Sequence, residues 1–379
     1  MREQGRDSNV PNADEPRRRT VLVVIVVSQV LVAVLTAVAV IVGYRHLDGN
    51  IEVGPEIDHV AQEPNDSAPD QPLNVLVMGS DTRDGTGNDI DGLSGGGQRA
   101  DTTILIHVSA DRREAYGVSL PRDAKVARPA CEGRDGERTP AEDAAMFNTA
   151  YALGGELCTV RMVEHLTGIY IDHYVTIDFN GFVGMVDAVH GVEVCIPKEV
   201  DDPEHDIYLE EGTQELDGRQ ALNYVRERYV LSPNSDIGRM KRQQAFIASM
   251  VNRVFAANTL ARFDRVYQFL DAATQSIRTD PELNSVGKLT RLAREFRHTG
   301  LDKINFVTVP IEPYPADPNR LQFAPGARAL WERIRDDEPL GRQFGRDAIS
   351  ADDEVGTPSS GSGSSGADAE QRLANGLCA

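Results

Sequence analysis

The chain predicts an α/β protein: a mixed central β-sheet flanked by helices on both faces, carried behind an N-terminal transmembrane helix. Three observations lead there. Residues 21–42 are apolar except for Ser28, Gln29 and Thr36, and about 20 such residues cross the hydrocarbon of a bilayer as a helix. Between residues 72 and 340, short alternating segments interleave with segments of helical period. The apolar segments 102–109 and 114–120 are joined by the short polar connection Ala110-Asp-Arg-Arg113, which makes an antiparallel hairpin and so a sheet that is not wholly parallel.

Taken in chain order, Arg17, Arg18 and Arg19 precede the apolar run. Asp48, Glu52, Glu56 and Asp58 follow it, with Arg45 the only Lys or Arg among them. Basic flanks mark the cytoplasmic side, so residues 1–19 are expected in the cytoplasm, 20–43 in the membrane and the rest outside. A secretory signal peptide is the competing reading, since Ala37-Val-Ala39 resembles a cleavage site, but the run exceeds the usual length of such a region. Residues 44–71, rich in Asp, Glu, Pro and Asn, read as a flexible acidic stalk. Residues 72–340 form the extracytoplasmic domain. Its strands are expected at 73–78, 102–109, 114–120, 173–178, 191–196 and 303–309, and its helices at 141–153, 159–167, 179–189, 218–224, 239–256 and 326–336. Residues 341–379 lose the hydrophobic pattern and read as a flexible Ser/Gly-rich tail.

A net charge of -20 makes the average surface repel phosphate polymers. Nucleic-acid binding is therefore not expected, and any anion site must be a local basic exception. Gly361-Ser-Gly-Ser-Ser-Gly366 and Gly92-Leu-Ser-Gly-Gly96 spell familiar fingerprints without the strand and helix that their mechanisms need. No P-loop and no H-E-x-x-H occurs. The four cysteines Cys131, Cys158, Cys195 and Cys378 are even in number, and outside the cell they permit two disulfides in any of about three connectivities. Cys131 and Cys158 bracket one segment and Cys378 is penultimate, which favours Cys131 with Cys158 and Cys195 with Cys378. Buried free thiols are the alternative.

The basic exception lies between residues 219 and 242, where Arg219, Arg226, Arg228, Arg239, Lys241 and Arg242 face only Glu227 and Asp236. Arg226 and Arg228 share a face only if the chain is extended there, so the helix from Gly218 is expected to end near Tyr224. A solvated stretch paired with Glu227 is the plainer reading. Asp81 follows one expected strand and Asp101 precedes its neighbour, so both carboxylates can meet at one sheet edge, either as turn caps or as ligands of Mg²⁺, which needs few carboxylates when phosphate oxygens and waters complete its shell. Guanidinium forks with paired carboxylates suit a magnesium-bound pyrophosphate on a lipid carrier.

In their order, Gly79-Ser-Asp-Thr-Arg83, Arg99-Ala-Asp-Thr102, Pro121-Arg-Asp123, Asn148 to Gly155 (Asn-x-x-Tyr-x-x-Gly-Gly), Arg226-Glu-Arg228 and Arg242-Gln-Gln244 resemble the LytR-CpsA-Psr family of cell-envelope phosphotransferases. The resemblance covers roughly residues 73–256 and fits a single N-terminal span. It implies transfer of an anionic glycopolymer from undecaprenyl pyrophosphate, a polyprenyl carrier, to peptidoglycan. It also implies Mg²⁺ as cofactor and a lipid tail in an apolar pocket, for which the helices at 179–189 and 239–256 are the expected walls. Carried over, Asp81 and Asp101 match the metal ligands. Arg83, Arg99, Arg122, Arg226, Arg228 and Arg239 match arginines around the pyrophosphate, with Arg122, Arg226 and Arg228 nearest the chemistry, and Gln244 matches a polar contact beside them. Met146 stands where the family often has lysine, leaving that contact missing or supplied by Arg128 or Arg138. Asp236 and Asp123 are candidate bases. Nothing long enough for a further C-terminal domain follows Asp336. Hydrolysis of the same lipid pyrophosphate, with water as acceptor, and a non-catalytic regulatory or lipid-binding role are the rival readings.

Overall fold

The computed structural model describes residues 15–63, 71–80, 100–232, 236–256, 262–296, 299–353, 355–356 and 366–378. The chain divides into two units, Met1–Gly49 and Asn50–Ala379. The first contains nearly all of helix α1 (Glu15–Asn50), whose portion from Thr20 includes an 18-residue stretch with a mean hydropathy of 2.9 and is long and apolar enough to cross a membrane.

The second unit is organised by an eight-stranded sheet. Its strands are β1 (Glu52–Val53), β2 (Leu73–Ser80), β3 (Ala100–Val108), β4 (Ala115–Leu120), β5 (His173–Asp178), β6 (Ile277–Thr279), β7 (Ile304–Thr308) and β8 (Ile349–Ser350), in the spatial order β1-β6-β5-β2-β3-β4-β7-β8. The sheet is mixed, as the hairpin signal requires: β3 is antiparallel to β2 and to β4, while β2 pairs parallel with β5 and β4 with β7. All six residues of β4 are buried, the mark of a strand covered on both faces. Alternation along β3 divides the two layers. Leu105 joins a core with Met162, Val163, Leu330 and Trp331. Ile106 packs with Ala248, Phe306 and Leu377. The first core lies under α2 (Thr149–Thr167) and a later helix, Gly326–Arg335; the second lies under α5 (Asp236–Phe255). Between α2 and α5 in the chain come α3 (Phe179–Ala188) and α4 (Gly218–Arg226).

Several expectations change. The segment 141–153, expected as one helix, is a strand, Glu142–Met146, followed by α2. The strand pairs with Ala124–Arg128 inside a second, four-stranded sheet completed by Ile311–Tyr314 and Asp317–Phe323. A ladder partner distant in sequence here overrides the helical preference of Glu-Asp-Ala-Ala-Met. The strand expected at 191–196 forms as Val192–Ile196, but it pairs with Gly212–Leu216 outside the central sheet. Two helices, Phe263–Thr274 and Val286–Glu295, were not expected. The acidic stalk contributes β1, and the N–H groups of Val60 and Ala61 donate to the buried carboxylate of Glu164 at 2.7 and 3.1 Å. The tail also contributes structure: β8 closes one edge of the sheet and Gly366–Ala374 is helical.

Both favoured disulfides are present, Cys131 with Cys158 and Cys195 with Cys378, at Cα separations of 5.4 and 5.9 Å. The first depends on a glycine pair that interrupts α2. Gly155 has φ +63°, and a Cβ on Gly154 would collide with the carbonyl oxygen of Glu132 and come within 2.7 Å of the Cβ of Cys158. Replacing Cys131 and Cys158 together by alanine is expected to lower stability by about 3 kcal/mol, the loop-closure entropy of a cross-link spanning a segment of this size. Denaturant unfolding of the variant measures it, and an unchanged midpoint would count against the entropic role.

Candidate active site

The carboxyl ends of β2, β4 and β5 and the amino end of β3 meet at one edge of the sheet. Ser80 is in register with Ala100 on one side and Asp178 on the other, and Thr103 with Leu120. Asp101 is the second residue of β3, on this edge, and Pro121-Arg122 leaves the end of β4 beside it. Arg122 Nη1 donates to Asp101 Oδ1 at 2.6 Å. The main chain fixes the same arginine, because its carbonyl accepts from the N–H of Asn148 at 3.0 Å as α2 begins. Asp81, Arg83 and Arg99 lie outside the described residues.

From the other side, α5 brings Asp236 and Arg239. Arg239 is 3% exposed, its Nη2 lies 3.2 Å from Asp236 Oδ1, and Arg122 Nε lies 3.4 Å from Asp123 Oδ2 and 3.8 Å from Asp236 Oδ1. Burial pushes the Asp101 carboxyl up, but Arg122, Arg239 and Arg228 outweigh it and hold the group below the usual carboxylate range. Burial presses Arg239 down to about 10 against the pull of Asp236. Arg228 is lowered by burial and then by Arg122, which places it in the same field. Asp236 is raised, first by burial and also by its neighbour Asp123, with Arg239 opposing. The structure thus brings together Asp101, Arg122, Arg228 and Arg239, with Asp123 and Asp236 holding the guanidinium groups in position. Among the described residues, the buried Nε atoms of Arg122 and Arg239 and the Oδ2 of Asp236 have no hydrogen-bond partner. Unsatisfied guanidinium N–H groups at a cationic edge are oriented donors for an oxyanion.

The helix expected to end near Tyr224 runs on to Arg226, so Arg226 belongs to the last turn of α4 and Arg228 to the chain beyond it, and the two are not carried together on one extended segment. An Asp217/Gln220 capping box starts α4, and Glu227 leaves it in an extended conformation, φ −56° and ψ 139°. The Arg226 guanidinium stacks over the Phe179 ring, 5.1 Å from its centroid, just past the end of β5. Glu227 is not the solvated counter-ion of the plainer reading: it is 1% exposed, and its carboxylate accepts the N–H groups of Tyr229, of Val230 at 2.6 Å and of Leu231 at 3.0 Å. Arg242, wholly buried, lies 3.6 Å from that carboxylate and donates to the Glu227 carbonyl and to Ser232 Oγ. This ion pair shapes the loop that carries Arg228. Acidic residues between arginines usually read as surface charge, so sequence offered no signal for it.

Gln244 is also buried. Its amide nitrogen donates to Ser119 Oγ and Thr308 Oγ1, both at 2.9 Å, which ties α5 to β4 and β7 immediately before Arg122. Arg128 stands apart from the cluster, 3.5 Å from Glu142 and beside the sulfur of Cys131, and Arg138 is exposed on a short strand. The residue paired across the ladder from Met146 is Lys125. Between α3 and α5, where an apolar tunnel is expected, Val186, Val189, Tyr224 and Phe246 pack together, with Phe182 and Phe246 ring centroids 5.2 Å apart. Of the hollows described, one lies beside the Cys195–Cys378 bridge against Tyr224 of α4 and Ala248 of α5, and one between Leu166, Phe323 and Trp331.

Comparisons with known proteins point to one family. The chain is 32% identical over 269 residues to the cell wall biosynthesis protein LcpA of Corynebacterium glutamicum, covering 65% of this chain and 51% of that protein. It is 33% identical over 219 residues to TagU of Enterococcus faecalis, named as a polyisoprenyl-teichoic acid–peptidoglycan teichoic acid transferase, covering 58% and 65%. The crystal structure of protein gbs0355 from Streptococcus agalactiae superposes with a TM-score of 0.57 at 25% identity, over 70% of this chain and 88% of that one. The chain spans about half the length of several curated relatives it matches. The model of the LytR_cpsA_psr family matches residues 49–329, from the last turn of α1 through every strand of the arginine-lined edge, and the chain belongs to that family.

Proposed function

We propose that this protein moves a glycopolymer from a polyprenyl pyrophosphate carrier to a peptidoglycan hydroxyl at the outer face of the cell membrane. The observation that carries this reading is the convergence of Arg122, Arg228 and Arg239 on Asp101, with the buried Nε groups of Arg122 and Arg239 lacking a hydrogen-bond partner among the described residues. Such an array in an otherwise acidic protein is selective for concentrated negative charge, and a pyrophosphate ester supplies it. Arg226, braced on Phe179, stands at the same edge.

In the proposed reaction the acceptor hydroxyl forms a bond to the sugar-linked phosphorus, and the bond from that phosphorus to the bridging oxygen breaks. The polyprenyl phosphate leaves with the bridging oxygen and its charge. The arginines position the two phosphates in line and take up the charge developing on the leaving group. Asp236, whose carboxyl burial pushes up, stands with Asp123 beside Arg122 and is suited to accept the hydroxyl proton.

Asp101 fits Mg²⁺ in kind, being an oxygen ligand held ionised by its surroundings, with Asp81 as its proposed companion. Among the described residues no group of three or more metal-ligating side chains occurs, but Mg²⁺ on a phosphate ester needs only one or two carboxylates. When bound, the ion supplies further charge neutralisation on the phosphate oxygens.

The test follows transfer from a polyprenyl-pyrophosphate-linked oligosaccharide to peptidoglycan fragments by the full chain in detergent. Linked product that rises with Mg²⁺, and is lost in Asp101→Ala with an unchanged circular dichroism spectrum, is expected. Free oligosaccharide in place of linked product would make the protein a hydrolase. Near-normal turnover in Asp101→Ala would remove the metal site.

A further inference from the structure

An exposed aromatic stack stands next to the arginine cluster. Tyr229 follows Arg228 directly, a step of about 3.8 Å along the backbone, and is 59% exposed. Its main chain is fixed, because its N–H donates to the buried Glu227 carboxylate. The Tyr229 ring lies on the ring of His205, with centroids 5.0 Å apart and planes inclined by 18°. His205 is fixed in turn: its Nδ1 lies 2.8 Å from Asp202 Oδ2, and its backbone N–H donates to Asp202 Oδ1 at 3.2 Å. The hairpin that carries it, formed by Val200–Asp202 and Ile207–Leu209, is tied to α4 by a hydrogen bond from Asn223 Nδ2 to the Asp206 carbonyl at 3.2 Å.

The surroundings of this stack are acidic. Asp201, Asp202, Glu204, Asp206, Glu210 and Glu211 fall on or beside the hairpin, and no Lys or Arg occurs between Val200 and Gly218. A phosphate-bearing chain is repelled there, whereas carboxylates accept hydrogen bonds from sugar hydroxyls. A rigid aromatic surface complements the C–H face of a pyranose ring, which is apolar across its face and polar around its rim. The arginines draw negative charge to one point, and the next surface along the chain refuses it.

We infer that Tyr229 and His205 form a stacking platform for an uncharged sugar ring of the carrier-linked glycopolymer, close to its pyrophosphate. The inference rests on the proposed function and adds to it a preference at the sugar nearest the reacting phosphate. Arg228, which holds the phosphate, and Tyr229, which reads the sugar, are then neighbours on the loop fixed by Glu227, with His205 brought against Tyr229 from the hairpin.

The experiment measures binding of three probes to the full chain in detergent micelles. They are geranylgeranyl pyrophosphate, its N-acetylglucosamine ester, and the same ester phosphorylated on the sugar 6-hydroxyl. The wild-type protein is expected to bind the neutral sugar probe about tenfold more tightly than the bare pyrophosphate, the scale of one good aromatic contact. Tyr229→Ala and His205→Ala should bring those two affinities together, and Tyr229→Trp should keep them apart. The phosphorylated sugar should gain nothing over the bare probe. A sugar preference that survives both alanine variants overturns the platform while leaving pyrophosphate binding, and with it the proposed function, in place. A phosphorylated sugar bound as tightly as the neutral one overturns the charge preference. Wild-type protein that binds none of the three removes the platform together with the reading beneath it.

Discussion

Arg228→Lys is expected to lower glycopolymer transfer by about 2 kcal/mol of transition-state stabilisation, roughly thirtyfold, with no change in thermal unfolding. Arg228 lies in the common field of Arg122, Asp101, Asp236 and Asp123, so its role depends on direction as much as on charge. Lysine keeps the charge and loses the planar fork that meets two oxygens at once. Alanine should be no better than lysine, at about 2 to 5 kcal/mol, as for other desolvated charged contacts. Arg226→Lys should also reduce transfer, because lysine loses the guanidinium fork that lies over the Phe179 ring. An arginine that merely decorates the surface would cost below about 1 kcal/mol. Steady-state transfer rates of the two lysine variants distinguish these outcomes, and wild-type rates in both would withdraw the arginines from the reaction.

Breaking the Glu227–Arg242 pair is expected to be the most damaging change to stability. Glu227→Ala leaves a fully buried guanidinium without its carboxylate and frees the N–H groups of Tyr229, Val230 and Leu231. Removing one partner of a buried pair costs about 3 to 5 kcal/mol, which for a domain of this size lowers Tm on the order of 10 °C. Arg242→Met should fall in the same range, since it leaves Glu227 charged and buried. Glu227→Gln keeps one acceptor oxygen and should lie between wild type and alanine. Transfer should fall further in these variants than the lost folded fraction explains, because the loop they release carries Arg228. Calorimetry with transfer assays at a temperature where every variant is folded separates the two effects. A Tm unchanged in Glu227→Ala would mean that the loop is held by other contacts.

The elements whose pattern is local were legible before the fold was known. The apolar run of α1 and the short polar link between β3 and β4 reduce to period and turn chemistry, and β2, β5, α3, α5 and the helix Gly326–Arg335 appear within a few residues of their expected positions. The cysteine pairs could also be chosen by position along the chain. For the candidate site, motif order was enough to nominate Asp101, Arg122, Arg228 and Arg239, which converge from two stretches of chain, the first holding Asp101 and Arg122 and the second Arg228 and Arg239.

What depended on tertiary contact could not be read in this way. Glu142–Met146 has the composition of a helix and becomes a strand because Ala124–Arg128 offers it a ladder. Gln244, nominated as a ligand contact by motif order, also ties α5 to β4 and β7 through its amide nitrogen, a role its place in the sequence did not announce. Glu227, between two arginines, has the appearance of surface charge, and only the arrival of Arg242 from α5 makes burying it tolerable. Periodicity reports which face of an element is apolar. It carries no information about which distant charge will be brought opposite, and in this protein that pairing decides where the arginines point.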